Sequence, residues 1–217
     1  LELSTWNNPI ALRKVLAPCR RLKMDSLVQM DFEQPAIAAG LRASPGSASV
    51  LDVCCGSRMF WFDRKNPAAI FVDKRRERHL AADCSVKNGE REIVIDPDLV
   101  ADFTDLPFDD NTFAHVIFDP PHIQRNGDTS WLLKKYGVLR GDWREMLRLG
   151  FAECFRVLRP EGTLIFKWNE IEVPLREILA LTPVQPLYGH RTGRQAKTHW
   201  CAFLKPKPHL NPELNLT

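Results

Sequence analysis

Four short apolar runs, each ending in or beside an aspartate, limit the fold more than anything else in this chain. They are Ser49-Val-Leu-Asp-Val53, Ala69-Ile-Phe-Val-Asp73, Leu99-Val-Ala-Asp102 and His115-Val-Ile-Phe-Asp119. Runs of this length bounded by turn residues read as buried strands. Their alternation with helical patterns predicts a parallel sheet built from crossover units. Thr163-Leu-Ile-Phe-Lys-Trp168 predicts a fifth strand. The helix before it carries Leu147, Phe151, Cys154, Phe155 and Leu158 on one stripe, and Pro160 and Gly162 stop it. Two further strands are expected near Gln185 to Tyr188 and Trp200 to Leu204, flanking a basic connection. In open α/β sheets ligands bind beyond the carboxyl ends of the strands, so the aspartates should gather on one rim.

The 217 residues, 44% hydrophobic and 26% charged, suffice for one α/β domain or two small ones and exclude a disordered chain. Apolar runs are short and broken by charge, so no membrane span is expected. Leu1 to Ile10 lacks the basic and apolar regions of a secretory signal, so none is expected there. Six cysteines (Cys19, Cys54, Cys55, Cys84, Cys154, Cys201) form no CxxC pair and show no metal-ligand spacing with histidine. Reduced, buried thiols of a cytoplasmic protein, and no metal, are the expectation. After Glu177 no acid appears until Glu213, while Arg191, Arg194, Lys197, Lys205 and Lys207 fall between. That asymmetry suits an anionic partner, and equally a solvated face. Residues 1–48 read as an N-terminal extension with a helical pattern over Ile10 to Leu22, residues 49–205 as the main domain, and 206–217 as a Pro-rich tail.

Val50-Leu-Asp-Val-Cys-Cys-Gly56, followed by Ser57, places an acid at a strand end and a glycine four residues later. This resembles motif I of the class I S-adenosylmethionine-dependent methyltransferases. In that motif the glycine lets the backbone turn tightly against the ligand while loop amides face its methionine part. The family carries a second glycine two residues on, where this chain has Arg58. The hypothesis for Arg58 is a pairing with the methionine carboxylate. Asp73 lies 21 residues after Asp52, where an acid can accept the ribose hydroxyls. It could instead cap a basic helix start at Lys74-Arg-Arg76. Ala101-Asp-Phe-Thr-Asp-Leu-Pro-Phe-Asp-Asp-Asn-Thr-Phe113 is similar to the family's stretch in which an acid binds the adenine amino group before a Leu-Pro-Phe turn. By that match Asp102 takes the adenine and Phe103 packs on its ring, with Asp105 the alternative.

Phe155-Arg-Val-Leu-Arg-Pro-Glu-Gly-Thr-Leu-Ile165 resembles the family's helix-turn-strand before strand five. Across 49–168 the resemblance implies an α/β fold, a doubly wound, Rossmann-like, seven-stranded and mostly parallel sheet with an antiparallel final strand. It implies S-adenosyl-L-methionine as cofactor, held by Asp52, Cys54, Gly56, Ser57, Arg58, Asp73, Asp102 and Phe103. A dinucleotide-binding reading fits less well, because no GxGxxG follows the first strand.

Phe118-Asp-Pro-Pro-His122 closes the fourth strand. It resembles the Asp/Asn/Ser-Pro-Pro-aromatic tetrapeptide of methyltransferases acting on planar amino groups, chiefly adenine N6 and cytosine N4. An exocyclic amine is a poor nucleophile because its lone pair is delocalised into the ring. Asp119 can accept one N–H and the Pro120 carbonyl the other, leaving the lone pair aimed at the sulfonium methyl. Pro121 continues the turn, and His122 stands where the family has an aromatic that stacks on the flipped base. A plain turn after a strand is the bland reading of Asp-Pro-Pro.

Residues 123–143 show no strand pattern and contain Trp131, Lys134, Lys135, Tyr136 and Arg140. Basic and aromatic residues interleaved in this way suit a loop over a nucleic-acid strand, or a lid packed on the domain. The 189–200 connection adds Arg191, Arg194 and Lys197, read as phosphate contacts. The leading expectation is methyl transfer to a base amino group, adenine N6 in DNA first, resembling small phage-type adenine methylases. RNA, a glutamine-like amide and a small molecule stay open as substrates. So does a catalytically silent binding subunit, which Arg58 in place of glycine would favour. Oligomeric state is not legible.

Overall fold

The computed structural model describes residues 45–82, 89–124, 131–193 and 196–207, with backbone alone at 81–82 and 131–133. The N-terminal extension with its pattern at 10–22, Cys19, Cys84, Arg194 and nearly all of the tail lie outside the described residues. Nine strands and three helices follow in the order β1 (Val50–Asp52), β2 (Ala69–Asp73), β3 (Glu77–Ala82), β4 (Glu90–Ile95), β5 (Leu99–Val100), β6 (Phe113–Phe118), α1 (Trp131–Tyr136), α2 (Trp143–Val157), β7 (Leu158–Asn169), α3 (Leu175–Leu179), β8 (Tyr188–Arg191) and β9 (Thr198–Leu204) among the described residues.

Seven of the strands form one sheet in the order β5-β2-β1-β6-β7-β9-β8. β5, β2, β1, β6 and β7 run parallel, while β9 is antiparallel to both β7 and β8. The expected mostly parallel sheet with an antiparallel final strand is therefore present. The chain first winds outward from β1 through β2 to β5, then returns to the middle at β6 and winds the other way. β1 and β6 are thus neighbours whose connections leave in opposite directions. A crevice opens at such a switch point, beyond the strand ends.

One face of the sheet is covered by α2. Leu147, Gly150, Phe151, Cys154 and Val157 form its buried stripe. Phe151 meets Phe118 of β6 and Phe166 of β7 with ring centroids 5.3 and 4.9 Å apart. Gly150 is where the helix comes closest, since a Cβ there would lie 2.7 Å from Phe103 and 2.8 Å from Phe118. Asp142 caps the helix by accepting the Glu145 amide at 3.2 Å. The helix stops at Val157 and Leu158 already belongs to β7, one residue earlier than the apolar stripe suggested. Pro160 disfavours helical geometry at Arg159, which brings the break forward.

The connections carry less helix than the sequence pattern implied. Between β1 and β2 the chain makes turns only, because Met59, Phe60, Trp61 and Phe62 are consecutive and give no single apolar stripe. Between β2 and β5 stands the antiparallel β3–β4 hairpin, joined across the strands by Arg78 and Glu92 at 2.9 Å. The helix start considered at Lys74-Arg-Arg76 is absent; those residues lead into β3. Asp73 instead accepts the Arg75 amide in a tight turn. Residues 185–187, expected in a strand, precede β8, which begins at Tyr188. No described helix is long and apolar enough to cross a membrane.

Candidate active site

Asp52 and Asp119 end the two strands that flank the switch point, but they serve it differently. Asp52 is fully buried and points into the β1–β2 turn. Its Oδ2 accepts the Trp61 indole N–H at 2.8 Å and its Oδ1 the Cys54 amide at 3.3 Å. Burial pushes its carboxyl up to about 7, although these hydrogen bonds favour the charged form. It organises the loop and does not line the crevice.

The crevice itself is a cavity of about 250 Å³. Of the residues singled out from the sequence, Cys54, Gly56, Ser57, Asp73, Phe103, Asp119, Pro120, Pro121 and His122 line it. Gly56 takes a positive φ of 49°, and its amide donates to Asp73 Oδ2 at 3.0 Å. Asp73 also accepts the Arg75 amide and Nε at 3.0 and 3.1 Å. Any hydroxyl seeking this carboxylate therefore competes with Arg75, whose guanidinium also reaches the Lys134 carbonyl at 3.2 Å. Phe103 is buried edge-on against Phe118, with centroids 5.3 Å apart.

Besides Asp52, two more expected cofactor contacts are not brought to the cavity. Asp102 turns its Oδ1 to the Thr104 amide and hydroxyl, at 3.0 and 2.9 Å, and Asp105 is exposed. Neither lines the cavity. Arg58 does adopt the left-handed conformation a second glycine would favour, with φ of 53°. Its side chain, however, lies over the Phe71 ring at 3.8 Å and binds the Arg64 and Asp96 carbonyls and Asp98. The carboxylate-pairing hypothesis for Arg58 is corrected accordingly: the guanidinium clamps the β1–β2 turn to the β4–β5 turn.

A second cavity of about 410 Å³ adjoins the first. Asn169, Ile171, Glu172 and Thr198 line it, and it shares Asp119, His122, Tyr136 and Lys167 with the first. Lys167 is the functional candidate that the sequence pattern left inside a strand. Its Nζ meets Asp119 Oδ2 at 2.5 Å, with the side chains 22% and 15% exposed. Burial pushes the Asp119 carboxyl up, and the Lys167 ammonium pulls it back. The available signal was a lone lysine near the end of an otherwise apolar strand, directly beside the strand that ends in Asp119. His122 is held between Tyr136 and Trp168, at centroid distances of 5.8 and 6.2 Å. Burial first, and then repulsion from Lys167, lowers its pKa to about 4, against the opposing pull of Glu172 and the Pro120 carbonyl. The ring is neutral at neutral pH and remains a flat stacking surface.

The 123–143 segment is not a plain loop. It contains α1 and the first residue of α2. Trp131 opens α1, but its side chain lies outside the described residues. Gly137 lets the segment pass Pro121, since a Cβ there would lie 3.1 Å from that ring. Lys135 lines the first cavity, with its ammonium 4.9 Å from the Tyr136 ring; Lys134 does not line it, and Arg140 is exposed. The basic 189–200 connection also meets acids that its own sequence lacks. Glu170 at the end of β7 pairs with Arg191 at 3.2 Å and His199 at 2.9 Å. Lys197 is exposed next to Thr198 of the second cavity, whereas Arg194 lies outside the described residues. Cys55, Cys154 and Cys201 are buried and Cys54 half-buried, all as free thiols. No described group of His, Cys, Asp or Glu could hold a metal ion.

No family model and no curated protein matches the chain. Solved structures do resemble it. The PH0226 protein of Pyrococcus horikoshii is 17% identical, over 73% of this chain and 81% of that one, with a TM-score of 0.46. A SAM-dependent methyltransferase of Methanosarcina mazei is 11% identical, over 73% and 92%, with a TM-score of 0.43. The T. thermophilus 16S rRNA N2 G1207 methyltransferase, solved with AdoMet and guanosine, is 15% identical over 75% and 37%, with a TM-score of 0.44. Likeness at this level identifies neither a family nor a substrate, so the chemistry has to be read from the two cavities.

Proposed function

We propose that this chain transfers a methyl group from S-adenosylmethionine to an exocyclic amino group of a nucleic-acid base, adenine N6 in DNA being the first choice. The observation that carries the reading is Asp119, placed in the wall shared by two cavities. The first cavity offers what an adenosine-bearing cofactor needs. Asp73 supplies a carboxylate for ribose, Phe103 an apolar face, and the turn at Gly56 a close backbone approach. When bound there, the cofactor would supply a methyl group on a positively charged sulfur.

The second cavity, lined by polar Asn169, Glu172 and Thr198 and opening on His122, suits a flat, hydrogen-bonding acceptor. Asp119 Oδ1 accepts one amino N–H, and the Pro120 carbonyl can accept the other. Both bonds hold the lone pair toward the first cavity. With a methyl donor held in the first cavity, the amino nitrogen would face the methyl carbon, and Asp119 would take up the amino proton released after transfer. The neutral His122 ring, held between Tyr136 and Trp168, stacks on the acceptor. Lys134, Lys135, Arg140 and Lys197 are the candidates for phosphate contacts, with Trp131 and Arg194 retained from their sequence positions.

The test is incubation with methyl-labelled S-adenosylmethionine and a panel of DNA, RNA and protein, followed by nucleoside and amino-acid analysis. The reading expects label in N6-methyladenine of DNA. Label in an RNA base or in a protein amide would move the substrate, and no label in any fraction would end the reading.

A further inference from the structure

Lys167 stands where neither cofactor binding nor methyl transfer by Asp119 requires a cation. Its Nζ is 5.5 Å from the Phe60 ring and 5.7 Å from the Trp200 ring, so two aromatic faces hold the ammonium in place. Among the described residues its hydrogen bonds end at Asp119 Oδ2, leaving two N–H groups on a side chain that lines both cavities. No described donor reaches Asp119 Oδ1. An acceptor and a donor therefore sit side by side at the wall of the second cavity.

We infer that Asp119 Oδ1 and Lys167 Nζ together read a two-point edge, an amino N–H next to an unprotonated ring nitrogen, and that Lys167 is a specificity-determining residue of this site. The inference rests on the proposed function and deepens it by naming the recognised edge. Adenine presents N6–H beside N1, and cytosine N4–H beside N3. The carboxylate alone would accept a hydrogen from any amine. The ammonium adds a demand for a lone pair on the neighbouring atom, and a ring carrying C–H there leaves one of its half-buried N–H donors without an acceptor, although its charge stays paired with Asp119. A merely charge-balancing lysine would make no such demand.

The experiment compares adenine with 1-deazaadenine, which has C–H in place of N1, at the target position of one oligonucleotide. Rates are measured for the wild type, Lys167→Met and Lys167→Arg. The Lys167→Met ratio of kcat/KM for the two bases gives their intrinsic reactivity difference. The inference expects the wild-type ratio to exceed it by about tenfold or more, the scale of a hydrogen bond from a charged group. Lys167→Arg, which keeps donors, should retain most of that excess. If cytosine is the base methylated, 3-deazacytosine takes the analogue's place. Equal ratios in wild type and Lys167→Met overturn the inference while methyl transfer itself stands. Should Lys167→Met fail to fold, as judged by its thermal transition, a wild type that accepts both bases equally still overturns it. Absence of transfer to any base defeats the proposed function, and the inference with it.

Discussion

Asp52 and Asp119 show how little the residue type alone decides. Both are aspartates at strand ends and both have carboxyls raised by burial. One is satisfied by an indole and an amide, while the other faces an ammonium across a cavity wall. Asp52 has a consequence for stability. Its folded pKa of about 7 lies above the ordinary value of 3.8, so the folded chain binds the proton more tightly than the unfolded chain. Its contribution is complete below about pH 4 and is lost as pH rises to 7, by something on the order of 4 kcal/mol. Asp52→Asn removes that titration and keeps an oxygen for Trp61. The thermal midpoint of Asp52→Asn relative to wild type should therefore climb between pH 4 and 7 and level off above. A constant difference across that window would contradict the buried, protonated carboxyl.

At the scale of elements, α2 is the part most legible from sequence, because its 3.6-residue stripe and the proline after it are local signals. β1, β2 and β6 are legible for a related reason: strands of a parallel sheet covered on its faces are apolar over most of their length. The β3–β4 hairpin was not, since Glu77 to Ala82 and Glu90 to Ile95 alternate polar and apolar residues only weakly and pair across a gap in sequence. The Glu170 partners of Arg191 and His199 were hidden in the same way, as contacts between distant segments. Lys167 was visible as a residue, but its pairing depends on strand adjacency. Gly150 links α2 to the site. An added methyl there must displace Phe103, which lines the first cavity. Gly150→Ala should cost about 1–3 kcal/mol in stability, as overpacked cores do. It should also weaken S-adenosylhomocysteine binding, measured by calorimetry. Unchanged affinity would detach Phe103 from the proposed cofactor cleft.

For the molecule as a whole, the sheet order does more than any motif. It sets β1 beside β6 and opens the crevice between their ends. On the proposed function, α1 and the β8–β9 hairpin, which give Tyr136 and Thr198 to the second cavity, are the candidates for target contacts. The charge on that rim is uneven, since Glu170 already offsets Arg191, whereas Lys197 is exposed. Lys197→Gln should lower the slope of log affinity against log salt by about 0.7 to 0.9, the value of one phosphate contact. Arg191→Gln should lower it less. Equal effects, or a slope near zero in the wild type, would remove the nucleic-acid rim.

The claim that Asp119 stands between cofactor and acceptor is tested most directly by one paired measurement. Wild type and Asp119→Ala are compared for methyl incorporation into DNA and, by calorimetry, for S-adenosylhomocysteine affinity. The wild type should label adenine, and Asp119→Ala should lose about a hundredfold to a thousandfold in rate, the scale of a removed transition-state hydrogen-bond partner. Its cofactor affinity should stay within about threefold, because Asp73 and Phe103 are untouched. An Asp119→Ala variant that methylates at the wild-type rate would contradict the account.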